Sequence, residues 1–240
     1  MARQPRYILP GYPQHVIQRG NNGDILFASD DDYRFYLEKL GEACRRHGCR
    51  VHAYVLMTNH VHLLITPDSS KGISKAIQSL GRYYVQYFNY IYGRTGTLWE
   101  GRFRATLVDA DNYLFTCYRY IEENPLRAAM VGSPVDYPWS SHRYNAFGQP
   151  AALVSAHESY LALGHTDDAK QRAYRGLFES PLTEETLSNI REATNKGWVL
   201  GNDRFRERVD ALVARQTAPR PRGGDHKSAK YRAKCQINRV

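Results

Sequence analysis

The chain has 240 residues, 42% of them hydrophobic, with a net charge of +9 and a pI near 9.4. Length and apolar share suffice for one full domain plus a smaller appendage and exclude a wholly disordered chain. The basic excess points to an anionic partner, most simply nucleic acid.

Residues 1–13 carry Pro5, Pro10, Gly11 and Pro13 and form a lead-in loop. Gln14 to Arg19 is strand one, closed by turn residues Gly20-Asn21-Asn22-Gly23-Asp24. His15 in that strand is an ordinary strand residue or a third metal ligand. Ser29-Asp30-Asp31-Asp32 opens helix one, with cap residues and acids at the positive end of the dipole. Its apolar positions recur at helical spacing through Cys44, and Gly48 stops it.

Arg50 to Met57 is strand two. After the tight turn Thr58-Asn59, strand three follows to about Thr66, so the two form an antiparallel hairpin. Strand three holds His60-Val61-His62. Period-two geometry puts both imidazoles on one face, with Val61 and Leu63 on the other. Two imidazoles side by side on a rigid strand make a two-point metal site, although one such triplet among nine histidines is a weak signal by itself.

Helix two runs from about Gly72 to Tyr92, its buried stripe marked by Ile73, Ile77, Leu80, Tyr84, Phe88 and Ile91. Tyr83, Tyr87 and Tyr90 lie near or beyond the stripe; they stack on bases or pack at its edge. The loop Gly93 to Thr97 lacks the Gly-Lys-Ser/Thr of a phosphate-gripping loop, and nothing else suggests an ATP site. Strand four spans Phe103 to Val108. Arg102 and Arg104 alternate with Phe103 and Ala105, giving a basic face for DNA or for solvent. Helix three starts at Tyr113 and should end near Asn124, because the residue before Pro125 avoids helical angles.

The order β-α-β-β-α-β followed by a helix is the α+β, ferredoxin-like split β-α-β arrangement. It is a four-stranded antiparallel sheet with the histidine strand central, helices one and two on one face and the other face free to carry a site. After Pro150 the composition shifts. Helical stretches at about 167–179, 183–195 and 202–214 form either three packing helices or a helix-turn-helix. This divides the chain into 1–150, a small C-terminal helical extension at 151–214 and a basic tail at 215–240. The tail holds eight Lys and Arg against Asp225 alone, +7 of the net +9, and reads as disordered, either solubilising or touching phosphate.

Four scattered cysteines without a Cys-x-x-Cys pair fit a reducing compartment and argue against disulfides or a thiolate zinc site. With no signal-like or membrane-length apolar run, a cytoplasmic protein with no membrane partner is expected.

Several segments resemble the single-tyrosine HUH transposases, specifically the REP-associated tyrosine transposase branch. They are Gln14 to Asn22, His60-Val61-His62, Trp99-Glu100-Gly101-Arg102-Phe103, Tyr120-Ile121-Glu122-Glu123-Asn124-Pro125-Leu126-Arg127 and the closing Trp139 to Tyr144, all within residues 1–150. The resemblance implies that His60 and His62 are metal ligands and that Tyr120, four residues before the Asn of Asn-Pro, is the nucleophile, with Tyr118 and Tyr113 as rivals. It makes Asn124, one turn beyond Tyr120, a third ligand, though Asn-Pro is also an ordinary helix stop. Arg19, Arg102 and Arg104 are the candidate DNA contacts.

The implied reaction is metal-dependent cleavage and strand transfer of single-stranded, hairpin-forming repeat DNA through a 5′-phosphotyrosine link. Histidine nitrogens plus an amide oxygen suit Mn²⁺, with Mg²⁺ tolerated. The protein would act as a monomer or homodimer. The competing readings are a non-catalytic nucleic-acid binder on the same fold and an HUH replication-initiator-like nuclease. Against the binder, strands one and four lack the aromatic signature of RNA-binding sheets; against the initiator, no helicase or origin-binding region accompanies the domain.

Overall fold

In the computed structural model, Arg6 and residues 8–213 are described; the basic tail at 215–240 lies outside them. Four strands form one antiparallel sheet in the order β2-β3-β1-β4: β1 (Gln14–Arg19), β2 (Cys49–Met57), β3 (His60–Pro67) and β4 (Arg104–Leu107). The split β-α-β reading therefore holds, and the histidine strand is internal. Strand four is shorter than expected and starts at Arg104, leaving Phe103 before it.

Helices α1 (Asp30–Arg46) and α2 (Gly72–Ile91) pack on one face against Val16, Leu56, Val61, Leu63 and Ile65. Ser29 and Asp32 close α1 with a capping box, Asp32 Oδ2 accepting from the Ser29 N–H at 3.0 Å. Of the α2 tyrosines, Tyr87 stacks on Phe35 at 4.1 Å between centroids, while Tyr83 and Tyr90 are exposed.

The second face is not free. It carries Ala53, Val55, Met57 and Leu64, and apolar groups on both faces of a strand require cover on both. The cover is α3 (Leu114–Glu122) with residues from the helices after Pro150. The chain enters these through α4 (Asn124–Arg127), α5 (His142–Phe147) and α6 (Glu158–Leu161), then runs through α7 (Asp167–Gly176), α8 (Glu184–Lys196) and α9 (Asp203–Leu212). The last three match the expected stretches, each with a side-chain N-cap from Thr166, Thr183 or Asn202. Tyr174, Leu187 and Ile190 share one buried cluster with Leu114, Cys117 and Tyr118, so these helices complete the core over the second face.

Both sheet edges are occupied. Leu56 N donates to Trp139 O at 2.9 Å beside β2, and Leu200 N donates to Leu107 O at 2.8 Å beside β4. Cys44, Cys49 and Cys117 are buried free thiols. Among the described residues no helix is long and apolar enough to cross a membrane.

Candidate active site

A cavity of about 370 Å³ opens beside the cover on the second face, at the His60 end of the sheet. Ile17, Arg19, Asn59, His60, His62, Glu100, Arg104, Tyr120 and Asn195 line it. The register makes this possible: Arg19 sits opposite His60, Ile17 opposite His62 and Arg104 opposite Ile17, so all of them share the face that α3 and α8 overhang.

The turn after β1 sets His60. Gly20 N donates to Asn59 O at 2.9 Å, and a Cβ on Gly20 would lie 2.1 Å from Asp24 O, so only glycine fits. Asn59 Nδ2 donates to Gly23 O at 3.2 Å, which turns its Oδ1 toward His60. His60 Nδ1 donates to that oxygen at 2.7 Å, leaving the Nε2 lone pair unprotonated.

His62 is buried and perpendicular to His60, their centroids 5.0 Å apart. Its Nδ1 lies 2.8 Å from Nε2 of His15, a wholly buried residue of β1. His15 is thus neither a bystander nor a cavity residue but the hydrogen-bond partner of His62. Burial holds all three imidazoles neutral. It lowers His15 to about 3 and His60 to about 4, with Arg19 adding to the effect on His60. Burial, then His15, His60 and Arg127, place His62 well below the usual range.

Helix α3 brings Tyr120 over this pair, its ring 5.6 Å from His15 and 5.8 Å from His62 between centroids. Tyr118 points the other way into the core, 5.8 Å from Tyr174, and Tyr113 caps α3 elsewhere. Two residues beyond Tyr120, the fully buried Glu122 anchors the helix. Its Oε1 accepts from Ser141 Oγ at 2.6 Å and Asn145 Nδ2 at 2.8 Å; its Oε2 accepts from His142 Nδ1 at 2.9 Å and Tyr174 OH at 2.8 Å. The closing segment Trp139 to Tyr144 thereby helps hold the tyrosine helix.

Asn124 starts α4 and does not line the cavity. Arg19 and Arg104 do, and Arg104 bonds Asn195 Oδ1. Arg102 is separate, in a groove with Gln18, Trp99 and Phe103 between α2 and the segment before β4. Sequence reasoning missed Glu100 and Asn195 in the lining, and Arg127. The Arg127 guanidinium carbon lies 4.7 Å over the Tyr120 ring, and the side chain bonds Tyr120 O and pairs with Glu123 at 3.3 Å. Its i+7 spacing from Tyr120, two helical turns on, was the available signal.

Among the described residues no three or more His, Cys, Asp and Glu side chains are placed together to hold a metal ion. The donor set that fits a divalent ion is the two imidazoles, both with Nδ1 engaged and a cavity beside them.

Residues 12–124, just under half of the chain, match the model of a family described as Transposase IS200 like. The matched segment carries β1 to β4 and α3 and is similar to the IS200-like transposases. A solved structure described as a REP-associated tyrosine transposase bound to a REP hairpin aligns at 19% identity with a TM-score of 0.51, covering 65% of this chain and 93% of that one. A second, a candidate transposase from Deinococcus radiodurans R1, aligns at 17% identity with a TM-score of 0.35, covering 54% and 92%. At these identities the first likeness speaks for the fold, and the second carries no weight. No curated protein matches the chain.

Proposed function

We propose that the protein cleaves and rejoins single-stranded, hairpin-forming repeat DNA through a covalent 5′-phosphotyrosine on Tyr120. The observation that carries this reading is the packing of the Tyr120 ring against the His15–His62 pair beside a cavity bordered by Arg19 and Arg104. The hairpin comes from the transposase of similar fold, whose structure contains a REP hairpin.

The Tyr120 oxygen attacks the scissile phosphorus, a P–O bond forms and the bond to the 3′ oxygen breaks. The phenol proton is lost and the departing 3′ oxygen gains one, leaving a 3′-hydroxyl. Because the ester keeps the bond energy, a second strand's 3′-hydroxyl reverses the step without ATP. Arg127, stacked over the ring and bonded to the Tyr120 carbonyl oxygen, orients the phenol toward the cavity. Arg19 and Arg104 hold the backbone phosphates at the cavity, and Arg102 contacts DNA around the sheet edge.

His60 and His62 would hold Mn²⁺ or Mg²⁺ through Nε2; the resemblance adds Asn124 as an oxygen donor, and from its place outside the cavity lining it would have to turn in to reach the ion. An ion held there would supply positive charge to offset the negative charge developing on the phosphate. In this reading residues 1–150 are the catalytic unit, and the 151–214 helices roof its cavity through Asn195.

The test is incubation with labelled single-stranded repeat hairpins and Mn²⁺, followed by denaturing electrophoresis. The wild-type chain should give a protein–DNA adduct and Tyr120→Phe none. An adduct persisting in Tyr120→Phe would reassign the nucleophile, and no adduct from the wild type on any hairpin would leave a nucleic-acid binder.

A further inference from the structure

One hydrogen-bonded chain joins the C-terminal helices to the histidine pair. Thr194 of α8, 1% exposed, donates its only hydroxyl proton to Ile190 O at 2.8 Å. Its oxygen lies 3.1 Å from His15 Nδ1 and, with its proton committed, can only accept there. A neutral His15 therefore carries its proton on Nδ1 and a lone pair on Nε2. That lone pair faces His62 Nδ1 at 2.8 Å, and two lone pairs cannot share such a contact, so the proton between the rings belongs to His62. His62 is left with a bare Nε2. With these groups buried, water does not substitute for either partner.

The opposite proton order is chemically complete as well. A Thr194 hydroxyl turned toward His15 would move the His15 proton to Nε2, and His62 would then carry its own on Nε2. In that order His62 cannot bind a cation through Nε2. The bond from Thr194 to the Ile190 carbonyl selects between the two.

We propose that His15 and Thr194 are positioning residues that fix the proton on Nδ1 of His62, so that helix α8 prepares a ligand of the β3 metal site. This rests on the reading of His62 as a ligand. It gives the C-terminal helices, which lie beyond the segment matched by the transposase family, a task at the site. His60 reaches the same tautomer independently, through Asn59.

The tautomers are read directly on the metal-free full chain labelled with ¹⁵N-histidine, by long-range ¹H–¹⁵N correlation near neutral pH. The wild type should show His62 protonated on Nδ1. Thr194→Val, which removes the acceptor without changing the shape, should shift the His15 and His62 protons and weaken Mn²⁺ binding by about tenfold or more. Thr194→Ser should restore both. A wild-type His62 protonated on Nε2 overturns the proposal, as does a folded Thr194→Val chain with unchanged tautomers. If Thr194→Val fails to fold, the wild-type spectrum and Thr194→Ser still decide. Wild-type tautomers as expected with no Mn²⁺ binding would sink the metal reading while the proton order stands.

Discussion

Tyr120 and His62 meet edge to face, their ring centroids 5.8 Å apart and their planes at 74°, although 58 residues separate them in the chain. Tyr118, two residues earlier on α3, is wholly buried on another side of the helix against Tyr174, where burial raises its phenol well above the usual range. Two residues are about 200° of helix, so only one of these tyrosines can face the cavity. Tyr118→Phe should therefore keep forming adducts on single-stranded hairpins at near wild-type rate, measured on the same denaturing gels as Tyr120→Phe. Loss of adducts in a folded Tyr118→Phe would undo the assignment.

Arg127 gives a second handle. Its guanidinium over the Tyr120 ring is close enough for a cation–π contact worth about 0.5–2 kcal/mol. Because this contact holds the ring in place over the cavity, Arg127→Ala should slow adduct formation by about tenfold. Single-turnover rates on hairpin DNA check this. An unchanged rate would confine Arg127 to its pairing with Glu123 and the Tyr120 carbonyl.

Glu122 should matter for stability rather than chemistry. Glu122→Gln replaces a carboxylate oxygen that accepts two hydrogen bonds with an amide that presents hydrogens to the same donors. The loss should be about 3 kcal/mol. For a domain of this size that lowers Tm by roughly 6–12 °C. Calorimetry measures it, and a change under 2 °C, roughly within the effect of a surface substitution, would show that the four donors find other partners.

Much of this architecture was open to sequence reasoning because its signals are local. Turn residues end β1, acids and a capping box start α1, and alternation alone places His60 and His62 together and Val61 on the other face. The cover over the second face, which the sequence reading took as free, had a signal that was passed over: β2 and β3 are apolar almost continuously, a pattern of two-sided burial. What escaped depends on register and long-range return. His15 reaches His62 diagonally because it pairs with Leu64, which alternation cannot reveal. Thr194 lies 179 residues from His15, and no short-range pattern reports so distant a contact. Glu100 sits in a loop whose path over the site is fixed by its N–H donating to Arg19 O at 2.9 Å.

The buried imidazoles make acid sensitivity a property of the fold. His15 is lowered to about 3, His52 and His60 to about 4, and His62 well below its ordinary value, each chiefly by burial. All four are neutral in the folded chain and take up protons near pH 6.5 once unfolded. The unfolded state therefore binds more protons across this window, and stability falls as pH falls. The contribution is complete above pH 6.5, declines by up to about 1.4 kcal/mol per pH unit for each such histidine, and stops declining below the folded value. Unfolding the metal-free chain near pH 5 should take up about four protons from these groups, against almost none near pH 8. Urea titrations across that range, with proton uptake measured in weakly buffered solution, test it. Flat stability from pH 8 to 5 would show that these imidazoles are not held neutral, and the bare Nε2 atoms of His60 and His62 would then lose their physical basis.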